Sequence, residues 1–381
     1  MTEQRRRKGP PDVDWPRKVY VEPTSRCNLN CRTCMRRTWQ EPVGDMSWDV
    51  FEALVTGLAE MPGPHTVAFA GIGEPLVHPR FAEMVALAHA AGLRTEVTTN
   101  ALLLTADLAH ELRRVGLDQL VVSVDGASDD SYGAVRSGAS LERLVDNLRA
   151  LRDYSTPYYS SRVRIGMEFV AMRSTIADLP KMGRIAALIG ASFVIVSNVL
   201  PYSAELLDEV LYGRVATAAE GSEGSAWSPR WSLPRMDVND LTEGPLRELL
   251  RGVPNVDLLD IGLDSRNNVC PFVSAGALAV GWSGRVSPCP PLTHSYPVFV
   301  MGREKHIRAW EIGKLPDDSL ADLWQRQEYR DFRRRVLDFD FSPCTDCGGC
   351  DLAETNEEDC FGNHFPVCGD CLWARGIIRC A

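Results

Sequence analysis

Short β-rich runs alternate with helical runs between residues 18 and 201, and this alternation constrains the fold most strongly. Six strands in succession, with five helices between them, predict a parallel sheet with right-handed crossovers, either doubly wound or barrel-like. In both arrangements ligands bind at the carboxyl ends of the strands. The predicted strands are Lys18–Glu22, Thr66–Ala70, Arg94–Thr98, Gln119–Val124, Arg162–Val170 and Phe193–Ser197. The predicted helices are Ser47–Glu60, Phe81–Ala91, Thr105–Val115, Leu141–Asp153 and Ala177–Ile189.

Twelve cysteines fall into two groups with none between residues 35 and 269. Cys27, Cys31 and Cys34 have the spacing C-x3-C-x2-C and follow the first predicted strand. Three thiolates can hold three irons of a 4Fe–4S cubane, which normally has four cysteine ligands, so the fourth iron is open to a substrate or cofactor. Half of a zinc site is the alternative. The second group is Cys270, Cys289, Cys344, Cys347, Cys350, Cys360, Cys368, Cys371 and Cys380.

Polar and glycine-rich runs follow the other predicted strands, where they would line the ligand-binding edge. Glycines allow a close backbone approach to a ligand, and proline stiffens the turn. A serine and an aspartate two residues apart on a strand point to one side and could bind a ribose diol, the alternative being a helix cap. The candidate residues are Gly71, Gly73, Glu74, Pro75, Thr98, Asn100, Ser123, Asp125, Arg136, Glu168 and Asn198, and for Glu168 and Asn198 the alternative is a polar residue of the strand with no ligand.

The cysteine triad and the Gly71-Ile72-Gly73-Glu74-Pro75 run together resemble the signature of the radical S-adenosylmethionine (SAM) superfamily. The resemblance implies that the open iron chelates SAM and that backbone carbonyls of the glycine-rich run hold its amino group. It also implies that Ser123 and Asp125 contact the ribose or sulfonium, and that Arg136 pairs with the SAM carboxylate. Thr33 replaces the aromatic residue that often covers the adenine, which leaves the adenine contacts unassigned.

The C-terminal cysteines resemble the SPASM type of auxiliary iron–sulfur domain, which opens on two cysteines with a glycine between them. Here these are Cys270, Gly284 and Cys289, and the run between the cysteines predicts a hairpin. Two fully ligated auxiliary 4Fe–4S clusters would use eight cysteines and the triad three, which leaves one of twelve. Cys360 and Cys380 are the candidates for this spare thiol, either inert or a hydrogen-atom donor. One or two structural zinc sites are the alternative.

These patterns predict a partial (β/α)6 TIM-like barrel followed by a small cysteine-rich auxiliary domain of the SPASM or twitch type. The expected divisions are a tail at 1–17, the barrel at 18–212, a cap or plain linker at 213–265 and the SPASM-like part at 266–381. The formal net charge of −10, from 41 basic and 51 acidic residues, disfavours nucleic acid as a partner. The sequence offers no membrane-span candidate of about 18–20 apolar residues, and a cytoplasmic location is expected.

The resemblance implies an enzyme that reductively cleaves SAM to a 5′-deoxyadenosyl radical and removes hydrogen from a C–H bond of a peptide or cofactor substrate. Auxiliary clusters would accept electrons from the substrate. An external donor of the flavodoxin or ferredoxin type would supply electrons to the enzyme. The residues around the triad and around Cys368 and Cys371 resemble the corresponding sequences of maturases for tungsten-cofactor oxidoreductases. The alternatives are an epimerase or dehydrogenase of carbohydrate-like natural products with a cysteine hydrogen donor, and a non-catalytic iron–sulfur or zinc protein.

Overall fold

A computed structural model describes residues 13–153, 163–212, 230–234, 236–252, 256–257, 268–342, 344 and 350–380. Most of the predicted tail, most of the predicted cap or linker and Cys347 lie outside these described residues.

One mixed sheet of eleven strands organises the described residues. Its centre is a run of parallel strands in sequence order, from β1 to β8, and β9 pairs in parallel with the other side of β1. Strand β10 pairs antiparallel with β9, β13 pairs antiparallel with β10, and β11 and β12 form a separate hairpin. The strands are β1 Lys18–Val21, β2 Thr66–Phe69, β3 Arg94–Thr99, β4 Gln119–Ser123, β5 Arg164–Ala171, β6 Phe193–Asn198, β7 Arg230–Ser232, β8 Val256–Asp257, β9 Ala277–Val280, β10 Arg285–Ser287, β11 Tyr296–Val300, β12 Arg303–Ile307 and β13 Gly313–Lys314.

Helices follow the parallel strands, as a βα architecture requires. They are α1 Trp48–Ala59, α2 Phe81–Ala90, α3 Ala106–Arg114, α4 Asp129–Val135, α5 Leu141–Asp153, α6 Met182–Ile189, α7 Glu243–Gly252, α8 Pro271–Ser274, α9 Leu320–Gln325 and α10 Gln327–Asp338. Thr105 caps α3, because its Oγ1 accepts a hydrogen bond from the Leu108 amide at 3.2 Å. No helix in the described part of the chain is both long and apolar enough to cross a bilayer.

The predicted single helix over Ala177–Ile189 is two elements in the structure. A 3-10 helix spans Ile176–Lys181 and contains Pro180, and α6 begins at Met182. Proline has no amide hydrogen and clashes with the carbonyl four residues earlier, so a continuous α-helix through Pro180 is disfavoured. The two pieces still connect β5 to β6, so the βα order that the sequence predicts is retained.

Strand β9 attaches the cysteine-rich region directly to the barrel sheet. Residues Ala277–Val280 pair in register with Lys18–Val21, and all four β9 residues are buried. The predicted hairpin between Cys270 and Cys289 is β9–β10, and Gly284 in its turn has φ +86°. A left-handed φ favours glycine, and a side chain at this position would also meet the carbonyl of Leu315.

Leu54 on α1 lies in the core between the barrel sheet and its first helix, and its side chain is fully buried. A substitution at this position tests the assignment of that core. We expect Leu54→Ala to lower the free energy of unfolding by about 2–5 kcal/mol, because the substitution leaves a cavity. The measurement is the unfolding midpoint of the purified protein. Glu52→Ala on the exposed side of α1 is the control, and an equal shift in both variants would contradict this assignment of the core.

Candidate active site

The cysteine triad lies in the loop after β1, at the carboxyl edge of the parallel strands. Cys27, Cys31 and Cys34 are all partly exposed. The Cys34 amide donates to the Cys31 carbonyl at 3.2 Å, and the Arg32 amide donates to the Val135 carbonyl at 2.8 Å. The loop is thereby tied to the end of α4, and its three thiols remain partly accessible at the edge where parallel sheets bind ligands.

The glycine-rich run after β2 packs directly against the triad loop. A side chain at Gly73 would overlap the carbonyl of Thr24, and the Glu74 amide donates to the Arg26 carbonyl at 2.8 Å. Pro75 begins the short 3-10 turn that follows. Glycine at position 73 is therefore required by close contact between two backbones, next to Cys27.

The Glu74 carboxylate holds this turn in place. It accepts hydrogen bonds from the Leu76 amide at 3.1 Å, the Thr99 hydroxyl at 2.6 Å and the Asn100 amide at 2.8 Å. Burial raises the pKa of Glu74, and these hydrogen bonds oppose that shift. With three donors from the chain itself, the Glu74 carboxylate positions the turn, and the backbone role of this run toward a ligand stays a prediction.

Asn100 connects β3 to the triad loop. Its Nδ2 donates to Oδ1 of Asn28 at 2.8 Å, and its Oδ1 accepts from the Leu102 amide at 3.0 Å. Asn28 directly follows Cys27 in the sequence. The observed contacts of Asn100 therefore position the loop that carries the triad.

Asp125 and Arg136 bind each other in the structure. Nε and Nη2 of Arg136 both lie 2.7 Å from Oδ2 of Asp125, and Oδ1 accepts from the Val170 amide at 3.0 Å. Nη1 of Arg136 lies 3.9 Å from the Cys31 sulfur. The sequence prediction treats these two residues as separate ligands, whereas here Asp125 orients Arg136 beside the triad. Ser123, at the end of β4, has no hydrogen-bond partner for its hydroxyl within the described ranges.

Burial raises the pKa of the Cys31 thiol to about 11, against the opposing effect of the Arg136 guanidinium. Burial likewise raises the pKa of the Cys27 thiol. Iron binding requires thiolates, so the bound metal itself would have to displace these protons. The positive charge of Arg136 next to Cys31 favours the thiolate that a cluster needs.

A cavity of about 250 Å³ lies between the carboxyl ends of the barrel strands and the cysteine-rich region. Gly71, Ile72, Thr98 and Glu168 contribute to its barrel side. Its other side is formed mainly by residues of the C-terminal region, namely Pro290, Pro291, Thr293, His294, Tyr296, Trp373 and Cys380. The cavity therefore adjoins the predicted SAM motifs and the cysteine-rich region at the same time.

Glu168 on β5 is the acidic group of this cavity that has no hydrogen-bond partner for its carboxylate in the part of the chain described. Burial and the nearby Asp125 carboxylate raise the pKa of Glu168 to about 7, while Arg136 opposes the shift. A carboxyl group of this kind holds a proton near neutral pH and can give it up.

A buried chain of charged groups joins the two walls of the cavity, and sequence reasoning missed it. Oε1 of Glu22 accepts from the Ile72 amide at 2.9 Å, and its Oε2 lies 2.8 Å from Nε2 of His294. Nδ1 of His294 lies 3.0 Å from Oε2 of Glu41. Burial disfavours the charged imidazole, but the hydrogen bonds to Glu22 and Glu41 outweigh it and raise the pKa of His294 to about 9. The position of Glu22 at the end of a predicted strand was the available signal.

Four cysteines of the C-terminal region line a second cavity, of about 70 Å³. They are Cys270, Cys289, Cys368 and Cys371, so the hairpin and the later C-x2-C pair come together. Burial raises the pKa of each of these four thiols. A cavity lined by four thiols fits the four-cysteine ligation of a 4Fe–4S cluster.

Across the described residues, no three His, Cys, Asp or Glu side chains are close enough to hold a single metal ion. Zinc needs ligands converging at about 2.0–2.3 Å on one centre, whereas the cysteines of an iron–sulfur cubane bind different irons and are spread more widely.

The remaining C-terminal cysteines lie elsewhere. Cys344 lies near enough to Cys360 for their charges to interact, its sulfur is 2.9 Å from the Ser342 hydroxyl, and Cys350 and Cys360 are exposed. Cys380 lines the first cavity. Asn198 is buried and donates from Nδ2 to the Ile377 carbonyl at 2.9 Å, so its observed contact holds the C-terminal segment.

His294→Gln tests the buried charge chain through its pH dependence. The folded-state pKa of His294 is raised from 6.5 to about 9, so its stabilising contribution is complete below pH 6.5 and is lost as the pH rises through 9. We expect the wild type to exceed the variant in unfolding free energy by roughly 3 kcal/mol more at pH 6 than at pH 10. Chemical unfolding under anaerobic conditions measures this difference.

The exposed histidine His306, changed to Gln, is the matched control for that comparison. A difference between wild type and His294→Gln that stays constant from pH 6 to pH 10 would contradict the charged state assigned to His294.

Comparison with known proteins identifies the family. A sequence profile of the Radical SAM superfamily matches residues 21–170, and a profile of the SPASM iron–sulfur cluster-binding domain matches residues 270–351. The tungsten-containing aldehyde ferredoxin oxidoreductase cofactor-modifying protein of Pyrococcus furiosus is 31% identical over 370 residues, which cover 95% of this chain and 96% of that protein. The PqqA peptide cyclase of Granulibacter bethesdensis is 24% identical, with coverage of 94% and 86%.

The solved structure of native anSMEcpe with bound AdoMet has the same fold, with a TM-score of 0.56, 17% identity and coverage of 89% of each chain. The fold class and the family that the sequence predicts are thus confirmed, and family membership implies SAM and 4Fe–4S clusters as cofactors. The chain belongs to the radical SAM superfamily, among the members that carry a SPASM domain.

Proposed function

We propose that this chain uses SAM and the cluster at Cys27, Cys31 and Cys34 to remove a hydrogen atom from a C–H bond of a cofactor or peptide substrate. When bound, the reduced cluster and SAM supply the carbon radical that abstracts this hydrogen. The observation that carries the proposal is the cavity of about 250 Å³ whose lining includes both Gly71 and Ile72 of the glycine-rich run and residues of the cysteine-rich region.

The residues of the chain have distinct tasks in this proposal. The three thiolates would hold three irons and leave the fourth for the amino acid part of SAM. The backbone of Gly71–Pro75 and the Asp125-oriented guanidinium of Arg136 would bind its amino and carboxylate groups. Thr98 faces the cavity and Ser123 has an uncommitted hydroxyl at a neighbouring strand end, which suits contacts with the rest of SAM.

The substrate that we favour is a compact cofactor or a single side chain of a peptide. The cavity volume lies just below the usual 300–1,000 Å³ of small-ligand sites, and its lining includes Tyr202, Tyr296 and Trp373. The Pyrococcus relative is named a cofactor-modifying protein and the Granulibacter relative a peptide cyclase, and both align over nearly all of this chain. The domain divisions proposed above place this cavity between the barrel and the SPASM-like part.

The auxiliary ligands that we propose form two sets. Cys270, Cys289, Cys368 and Cys371 suit one 4Fe–4S cluster, and the cavity that they line also includes Tyr296 and Trp373 of the substrate cavity. Cys344, Cys347, Cys350 and Cys360 would hold a second. Such clusters could take an electron from a substrate radical and pass it to an external carrier of the flavodoxin or ferredoxin type. A redox-neutral epimerisation is the second candidate, favoured by the position of Cys380.

Replacing Cys27, Cys31 and Cys34 together with alanine tests the proposed centre. We expect the triple variant to form no 5′-deoxyadenosine from SAM and a strong reductant, and to lose about four irons per chain, because the cubane loses its ligands. Product analysis by chromatography and iron determination are the measurements. Thr33→Ala, within the same loop, is the control and should keep its iron. Formation of 5′-deoxyadenosine by the triple variant, or none by the wild type, would refute the proposal.

A further inference from the structure

Lys305 on β12 is a buried cation beside the four-cysteine cavity. Its side chain is only 3% exposed, and its Nζ lies 2.5 Å from Oδ2 of Asp370, which is also buried. Asp370 stands between Cys368 and Cys371, two of the cysteines that line this cavity. Taking an ammonium group out of water costs free energy unless the group is paired and hydrogen-bonded, so the surroundings of Lys305 decide what it can do.

The ammonium group of Lys305 has more donors than the described residues accept. It carries three N–H groups, and the Asp370 carboxylate supplies the one acceptor that the described part of the chain offers. Two N–H donors are thereby left over at a site closed to bulk water. Buried donors are rarely left unpaired, so this position suits an anionic group with further acceptor atoms.

The register of β12 places Lys305 between two groups of cysteines. Alternate residues of a strand point to the same side, so Arg303, Lys305 and Ile307 share a face. Nη2 of Arg303 donates to the Cys344 carbonyl at 2.8 Å, whereas Ile307 lines the four-cysteine cavity. Lys305 therefore lies between Cys344 and that cavity.

The charge of Lys305 reaches cysteines of both groups. Burial raises the pKa of the Cys344 and Cys371 thiols, and Lys305 is close enough to both of them to oppose that rise. Asp370 acts on the same two thiols in the opposite sense. Nearby charge and hydrogen bonds to sulfur set the reduction potential of an iron–sulfur cluster, so this ion pair stands where it would act on clusters held at either group.

We propose that Lys305 donates its two remaining N–H groups to sulfur atoms of the auxiliary clusters and makes these clusters easier to reduce. This inference rests on the proposed function, because it requires the auxiliary clusters proposed there. In the step that it assists, the substrate radical loses one electron to a cluster and then one proton to solvent, and no bond of the cluster breaks. The positive charge of Lys305 stabilises the added electron, and Asp370 holds the ammonium group in place. Lys305 is thus a positioning residue that acts through the clusters.

Redox titration of the auxiliary clusters, followed by electron paramagnetic resonance, tests this role. The parent protein is the full chain with alanine at the three triad cysteines, so that only the auxiliary clusters contribute to the signal. We expect Lys305→Met to weaken the affinity of these clusters for an electron roughly tenfold or more, which lowers the potential of a one-electron couple by about 59 mV. Asp370→Asn removes the opposing charge and should raise the potential. Lys305→Arg keeps the charge and the donors and should stay close to the parent.

The matched control is Lys314→Met, which removes an exposed lysine from β13. This variant should leave the potential unchanged, and iron determination should show the iron content of the parent in every variant. Equal potentials in Lys305→Met and Lys314→Met, or shifts of the same sign in Lys305→Met and Asp370→Asn, would overturn the inference. If Lys305→Met does not hold its iron, Asp370→Asn decides alone, and a potential that fails to rise in that variant overturns the inference.

These outcomes are distinct from a failure of the proposed function. A parent protein that holds no iron beyond the triad would lack the auxiliary clusters, which would overturn their part of the proposed function and this inference with it. Normal auxiliary iron with potentials that do not respond to Lys305 or Asp370 would overturn this inference alone.

Discussion

The contact between Glu22 and His294 is the interaction on which the arrangement of the site depends. Glu22 directly follows strand β1, accepts a hydrogen bond from the Ile72 amide of the glycine-rich run and pairs with His294 of the cysteine-rich region. Both side chains are buried, so breaking this pair would leave a charge without a partner in the interior. A single carboxylate thus fixes the distance between the SAM motifs and the wall that faces them.

Much of the local chemistry at the triad concerns the control of charge. The proposed cluster brings thiolates into a partly buried loop, and Arg136 is held beside Cys31 by the fully buried Asp125. An arginine fixed in this way costs little rearrangement when an anion binds. Asp125 also accepts a hydrogen bond from the Val170 amide of β5, so the Arg136 guanidinium is positioned by the sheet itself.

The sequence predicts the barrel well because each of its six strands has a local signal. Those strands lie within two residues of their predicted ends, whereas β7 and β8 were missed, since they are only three and two residues long. The contact of Glu22 with His294 spans 272 residues, and nothing local in the sequence specifies it. The sequence also marks Asp125 and Arg136 as polar residues at one edge, but only the folded geometry shows that they pair with each other. The ligand roles of these residues stay predictions.

The pairing of β9 with β1 has a consequence for how the chain can be divided. Strand β1 would be an edge strand if the barrel ended at β6, with the backbone groups of Lys18–Val21 free to pair with another molecule. Residues Ala277–Val280 occupy that edge and bury it. A barrel expressed without the cysteine-rich region would therefore expose an apolar strand prone to aggregation, and the two regions cannot be exchanged between relatives as independent modules.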